Sequence, residues 1–460
     1  MKGCEFRRCA AITVAVMLAT SGVRAQRLEF KQCVETALAQ NPDLSISHAQ
    51  IEQAQAGLRQ AKGNRLPRLN LSLTGTRSND ALNAFGMKLG QRNAAFKDFG
   101  AGEFTGPGAL GVTPQNLNHP DAVNNFNTRI ELQVPVYNGG MVHAYIDTAK
   151  AYVRAAQSGD EAARQQLIKN VMMAYQGVHT ARAYINVAQD ARAAAEEYVR
   201  ITERLHKQGM VVKSDLLTAR VNLEDIKVKL IEARDEEKSA LNQLALLLGL
   251  PMDAPLEVGA PVMPALQAGS EAELRQQASA GNAGLRALRA QVEATSAQVG
   301  AARSGMKPQF NVLLRQDWND RNIGITAPDY TVAGVLSWTA FDGGVAHAGV
   351  DRAEAARSEW QAKLRQAEEG LGYQVTEAQR RALETQEKEA ARAANLDQAQ
   401  EALRLVKKRY ESGMGTMVEL LGAQAQLEKV GADLVAARYE LAVNRTELKR
   451  AIGVLNADTL

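Results

Sequence analysis

The sequence predicts an α+β membrane protein with an internal duplication, in which pairs of amphipathic strands alternate with very long helices. Three observations carry that prediction. The stretch VPVYNGG (134–140) returns 204 residues later as WTAFDGG (338–344), with the same aromatic, Asn/Asp, Gly, Gly order. Short segments on both sides of it alternate apolar and polar residues, the period of a strand with one apolar face. After each Gly pair come segments rich in Ala, Arg, Glu and Gln, and no proline occurs between 136 and 250 or after 328.

Taken in order, residues 1–25 read as an export signal. Lys2, Arg7 and Arg8 form a basic start, residues 10–20 an apolar core, and Val23-Arg24-Ala25 a small-residue cleavage site. The apolar run is too short to span a bilayer as a helix. The signal carries the net +3 of the whole chain, so the mature protein is near neutral and nothing in its charge points to nucleic acid. Cys4 and Cys9 fall in the signal. Cys33 remains as a single cysteine, which excludes an internal disulfide and is read as a small buried residue on the first helix.

The duplication organises the rest. At an offset of 204, Gly139-Gly140 meets Gly343-Gly344, His143 meets His347, and KQGMVVKSDLL (207–217) meets ESGMGTMVELL (411–421). Upstream the offset is 241: Asn41 meets Asn282, and Pro67 meets Pro308. The first copy therefore holds 37 extra residues, which lie in a loop at 77–125. This is two copies, not a many-unit solenoid. Residues 26–250 form the first repeat, 251–270 a Pro-rich connector, and 271–460 the second repeat.

Each repeat has the same predicted order. A helix comes first (28–63; 271–304). A proline opens a strand (67–76; 308–318), and a second strand returns (126–137; 329–341). A helix of 142–206 or 346–410 follows, on the order of 95 Å long at 1.5 Å per residue. It ends at a turn, Gln208-Gly209-Met210 or Ser412-Gly413-Met414. A return helix then runs 214–248 or 417–452, with Ser214 and Thr416 as candidate caps.

Four strands of about ten residues suit a bilayer, but they cannot close a barrel. Open edges in lipid cost several kcal/mol per unpaired backbone group. At least two copies must therefore share one barrel, with the polar face lining an aqueous lumen. A soluble sheet packed on helices is the plainer alternative; the export signal and the helix lengths weigh against it. Tyr137 and Phe341 sit at strand ends where an aromatic belt lies. Gly139, Gly140, Gly343 and Gly344 give the backbone room to turn from strand to helix.

On the VYNGG and AFDGG strand ends, the duplicated strand pairs, the long helices and the two Gly-Met turns, the whole mature chain resembles the TolC-like outer-membrane efflux family. The resemblance implies a homotrimer with a 12-stranded β-barrel, four strands per chain, in outer-membrane lipid. A long α-helical barrel continues it through the periplasm, with a shorter-helix equatorial region. It implies docking on a periplasmic adaptor, or membrane fusion protein, coupled to an inner-membrane pump. Its periplasmic gate maps onto Asp215, an entrance acid; Tyr410, which resembles that acid's closing hydrogen-bond partner; and Glu419, in a luminal acidic ring. Two positions depart from the family's pattern: Gly415 stands at a position that is basic in its best-known members, and Gly422 at a second acidic position.

The function expected is a passive outer-membrane duct of a tripartite efflux system. One alternative is the outer-membrane duct of a type I protein secretion system. Another, of a different class, is a periplasm-spanning coiled-coil spacer that conducts nothing. At the turns, Gly209 and Gly413 supply left-handed geometry. Met210, Val211, Met414 and Met417 are expected as exposed apolar residues at the tips, where an adaptor would touch. His143 and His347 are read as polar residues at the junction of strand and helix. There is no metal-ligand cluster, Walker loop, nucleophile elbow or HExxH motif, so neither catalysis nor a cofactor is expected.

Overall fold

The structure is a computed structural model that describes residues 26–252 and 254–460; the expected signal, with Cys4 and Cys9, lies outside them. In chain order the elements are β1 (Gln26–Leu28), α1 (Phe30–Gln40), α2 (Pro42–Gly63), β2 (Arg68–Ser78), α3 (Ala81–Gly90), α4 (Gln115–Asn118), β3 (Val123–Tyr137), α5 (Met141–Lys207), α6 (Lys213–Leu248) and β4 (Leu256–Val258). Then come α7 (Glu271–Gly281), α8 (Ala283–Ser304), β5 (Gln309–Asp320), β6 (Pro328–Ser337), α9 (Val345–Glu411) and α10 (Met417–Ala451). The chain forms two compact units: residues 43–163 with 272–375, and residues 26–42, 164–271 and 376–460. Each unit draws on both halves of the sequence.

The first unit holds a four-stranded antiparallel sheet in the order β2-β3-β5-β6. Its register sorts the side chains into two faces. On one face Leu69, Leu132, Leu314 and Val332 form a row across all four strands, and Leu71, Ile130, Gln316 and Tyr330 form the next. On the other face the rows are Asn70, Glu131, Arg315, Thr331 and Ser72, Arg129, Asp317, Asp329. Among the described residues the apolar face is largely bare: Leu71 is 75% exposed and Tyr330 79%. The polar face is cross-linked within itself. Asp317 accepts from Arg129 at 2.7 Å and pairs with Arg315 at 2.8 Å.

The second unit contains a small core where α1 meets α5 and the connector. Phe30 packs edge-on against Tyr175, ring centroids 5.4 Å apart, and the Tyr175 hydroxyl donates to the Ala260 carbonyl at 2.9 Å. Cys33 is fully buried on α1, and burial pushes its thiol pKa up to about 11, so it stays an unreactive thiol.

The two longest helices are 67 residues each, begin 204 residues apart, and end within one residue of the expected bounds. No helix among the described residues is long and apolar enough to cross a membrane.

Four expectations change. The first helix of each repeat is two helices. Asn41 precedes Pro42, which disfavours helical backbone at the residue before it, and Asn41 is extended (φ −67°, ψ 130°). Its side chain donates to the Leu247 carbonyl at 2.9 Å. Asn282, at the equivalent position, breaks the second helix and caps α8 by accepting from the Leu285 N–H at 3.1 Å. The expected helix start at Leu28 falls instead in a strand, Gln26–Leu28, and the connector contributes β4, which pairs with it in parallel.

The last strand stops at Ser337, not 341. Its partner β5 begins at Gln309, opposite Ser337, and the residue before it is Pro308, which has no N–H with which to extend the ladder. The Trp338 indole N–H turns away to the Met306 carbonyl at 3.2 Å. Finally, the 77–125 insertion is not an open loop. It contains α3, α4 and three short 3-10 turns.

Candidate functional site

Both tips of the helical pairs are built by the same backbone device. At the first, the Met210 N–H bonds back to the Leu205 carbonyl and the Gly209 N–H to His206, each at 2.9 Å. At the second, Met414 bonds to Arg409 at 2.9 Å and Gly413 to Tyr410 at 3.0 Å. These are paired Schellman closures, and they place the glycine in left-handed geometry: φ is +73° at Gly209 and +75° at Gly413.

The side chains then diverge. Thr416 is the N-cap of α10 and makes a full capping box. Its hydroxyl accepts from the Glu419 N–H at 3.2 Å, and the Glu419 carboxylate accepts from the Thr416 N–H at 3.4 Å. Glu419 also lies 3.8 Å from the Arg409 guanidinium. The equivalent cap of α6 is Val212, which has no side-chain cap bond. Ser214, expected as the cap, is instead the second residue of the helix, because helical geometry already begins at Lys213.

Behind the tips, Tyr198, Ile201, Leu205, Ala219, Tyr410, Met417 and Leu420 form one buried cluster. Tyr410 is 2% exposed, and its hydroxyl is 3.0 Å from that of Thr202. Burial raises the Tyr410 pKa, the Thr202 bond lowers it, and the Asp215 carboxylate raises it again. Asp215 is therefore felt electrostatically at Tyr410, while the hydrogen bond goes to Thr202. Beside it, the Tyr198 hydroxyl donates to Gln424 at 3.1 Å; burial pushes its pKa to about 12. Asp215, Tyr410 and Glu419 thus belong to one end of this unit.

Two of the four expected tip apolars are exposed, Met210 and Met414. Met417 is buried in the cluster and Val211 packs against it, because both follow the turn on the inward face of the returning chain. Val212, Leu217 and Val418 are exposed in their place. Sequence reading also missed Thr202 and Arg409. The available signal for Thr202 was a hydroxyl on the same helical face as Tyr198, Ile201 and Leu205. Gly415 lies tight on the turn: a Cβ there would come 3.0 Å from the Tyr410 nitrogen.

The strand-to-helix junctions lie in the other unit. Their Gly pairs share left-handed backbone, φ +66° and +95° at Gly139 and Gly140, +67° and +90° at Gly343 and Gly344. At Gly139 a Cβ would also meet the Ser304 carbonyl at 2.8 Å. Asp342 caps α9, accepting from the Gly344 and Ala346 N–H groups at 2.9 and 2.7 Å. Tyr137 closes β3, opposite Phe310. Phe341 lies four residues beyond β6 and is 89% exposed. His143 and His347 are both exposed. Among the described residues no group of three or more His, Cys, Asp or Glu is placed to hold a metal.

The model of the outer membrane efflux protein family matches residues 33–250 and 274–454. The chain is similar to the outer membrane protein OprJ of Pseudomonas aeruginosa, 23% identical over 415 residues that cover 86% of this chain and 78% of OprJ. It is also similar to the alkaline protease secretion protein AprF of the same organism, 24% identical over 344 residues, 72% of this chain and 70% of AprF. Among solved structures, the CmeC outer membrane channel of Campylobacter jejuni shares its fold, with a TM-score of 0.77 at 17% identity over 92% of this chain and 85% of that one. With most of its length matched, the chain belongs to the outer membrane efflux protein family.

Proposed function

We propose that this member of the outer membrane efflux protein family is a passive duct, a homotrimer in outer-membrane lipid that carries small molecules from a pump and periplasmic adaptor to the exterior. The observation that carries the reading is the sheet. Its apolar face is largely bare, and β2 and β6 are edges with no partner among the described residues. In lipid such edges must meet strands of other copies. Three copies give 3 × 4 = 12 strands, and closure turns the Arg129, Glu131 and Asp317 face onto an aqueous lumen. The two repeats, 26–250 and 271–460 joined by 251–270, each supply one hairpin and one long helix pair. Tyr137 and Phe341 sit at the membrane interface, and the Gly pairs pass the chain from barrel to helical tunnel.

The tips form the periplasmic entrance. Tyr410 locks the two helix pairs of one chain together through Thr202, and Asp215 and Glu419 set the negative charge beside it. In the state described here Glu419 is engaged by Thr416 and Arg409. Opening the entrance releases that carboxylate toward the axis, where three copies attract cations. Met210 and Met414 are the adaptor contacts. The likeness to AprF favours a second reading, a duct for a secreted protein, which uses the same barrel and differs only in its pump.

The test is single-channel recording of the purified protein in planar bilayers, with chemical cross-linking of the same sample. Discrete conductance steps from a cross-linked trimer are expected. A protein that inserts, resists protease and passes no current overturns the duct and leaves the non-conducting spacer. Deleting the gene then separates the cargo classes: drug sensitivity supports efflux, and loss of a secreted protein supports the second reading.

A further inference from the structure

The 77–125 insertion sits at the end of the sheet opposite the helices, between Ser78 of β2 and Val123 of β3. The equivalent connection in the second repeat, from Asp320 to Pro328, is a short turn in which the Asp320 carboxylate accepts from the Thr326 N–H at 3.1 Å. The long version is folded in its own right. Phe85 and Phe99 pack edge-on at 4.8 Å, Lys88 pairs with Asp98 at 2.7 Å, and Glu103 accepts from the Gln115 and Asn116 N–H groups at 2.8 and 3.0 Å. Ala84 of α3 is fully buried.

This folded segment is clamped to the polar face of the sheet. The Gln91 side-chain amide donates to the Asn124 carbonyl at 2.7 Å and to Asn125 Oδ1 at 2.9 Å. Asn125 in turn donates to Asn319 at 3.0 Å, on the neighbouring strand. Gly90 lies flat on Asn319, with room for a Cβ at 3.7 Å from that residue's Cβ. Arg92 donates to the Pro328 carbonyl at the start of β6.

The backbone of Arg92 marks the clamp as a built feature. α3 ends in the same Schellman closure as the tips: the Asn93 N–H bonds to the Lys88 carbonyl at 3.0 Å and the Arg92 N–H to Leu89 at 2.9 Å. At the four other closures of this kind the left-handed residue is glycine: Gly209, Gly249, Gly413 and Gly453. Here it is Arg92, φ +56°, the one non-glycine with positive φ among the described residues. A side chain is held in a costly conformation where glycine would serve, and that side chain reaches across the sheet to its far strand.

We propose that residues 79–122 form a fixed cap, seated on the lumenal face through Gln91 and Arg92, that narrows the outer mouth of the duct and limits the size of what leaves it. The inference rests on the barrel reading above, because only closure makes the polar face a lumen. In a closed barrel one cap per chain projects inward from the rim, and pore width is set by the caps rather than by the strands.

Two variants of the full chain test it. In Gly90→Cys/Asn319→Cys the Cβ separation matches that of a disulfide. Near-complete cross-linking without reductant is expected, read by mass spectrometry, with buried Cys33 left as a free thiol. Failure to cross-link overturns the seating whether or not the protein conducts. Replacing 81–121 with a short Gly-Ser turn is expected to raise single-channel conductance at least about twofold over the unaltered protein; unchanged conductance from an assembled channel overturns the narrowing. Should that deletion fail to assemble, the double-cysteine channel decides. Equal conductance oxidised and reduced supports a fixed cap, and a rise on reduction shows a moving lid instead. An unaltered protein that passes no current counts against the duct, not against the seated cap.

Discussion

The two glycine turns have nearly the same backbone and differ in what holds the helix that follows. Val212 and Thr416 occupy the same position with the same geometry, φ −87°, ψ 160° and φ −97°, ψ 156°. Only Thr416 can cap. The first tip is tied instead across its helix pair, by Arg220 to Glu203 at 2.8 Å. The second carries the capping box, the Arg409–Glu419 contact, and Tyr410, which reaches the Thr202 hydroxyl on the first pair. Duplication has kept what the backbone demands, a glycine at the left-handed position, and let the side chains around it diverge. The first tip is held within its own helix pair, by Arg220–Glu203 and by His206 Nδ1 at 3.0 Å from the Val211 carbonyl, whereas the second also reaches across to the first pair.

The largest expected effect tests the shared half of this comparison. Gly209→Ala and Gly413→Ala each place a Cβ in left-handed backbone, which costs roughly 1–2 kcal/mol. At Gly413 the new Cβ also meets the Met210 methyl at 2.8 Å, but that is the end of a flexible side chain that can rotate away. The two variants should therefore lower the temperature at which the assembled oligomer dissociates by similar amounts. A clearly larger drop at 413 would show that Met210 is fixed and that the tips are not equivalent in backbone terms.

The next effect separates them. Tyr410→Phe removes the hydroxyl that joins the two helix pairs, and one net hydrogen bond is worth about 1 kcal/mol. Thr202 keeps its bond to the Tyr198 carbonyl at 2.8 Å, so no buried group is orphaned and the fold should survive. The expected readout is a more frequently open channel in planar bilayers, with little change in melting. An unchanged open fraction would remove Tyr410 from the gate.

How far the sequence could be read follows from the length scale of each interaction. The bounds of α5 and α9 were legible because 67 residues without a proline and with few glycines leave one reading. The left-handed glycines were legible from their own chemistry. The fold at 77–125 was not, because its order comes from Phe85–Phe99, Lys88–Asp98 and the Gln91 clamp, none of which has a periodic signature. Pairing of β1 with β4 spans 230 residues and involves three residues on each side, too few to show alternation. At the candidate gate, Asp215, Tyr410 and Glu419 were named from resemblance alone, and their partners Thr202 and Arg409 needed coordinates. The end of β6 was misplaced for a related reason: the sequence repeat carries an aromatic to 341, but strand length is set by where β5 begins.

The smallest effect exchanges the caps. Thr416→Ala removes the hydroxyl that accepts from the Glu419 N–H and should cost about 1 kcal/mol. Val212→Thr is nearly isosteric, lies on an exposed residue already in cap geometry, and places Asp215 three positions on, where a capping-box acid belongs. It should add about 0.5 kcal/mol, read as slower hydrogen exchange over the first turn of α6. The combination is the informative case. The double variant Val212→Thr/Thr416→Ala should transfer the protection from α10 to α6 at a net cost of about 0.5 kcal/mol. Channel opening then assigns the lock. If opening becomes easier although the first tip is now capped, the Thr416–Glu419 box holds the entrance and its carboxylate is the group that must be released. If opening follows total stability alone, capping at either tip is structural and the lock lies with Tyr410.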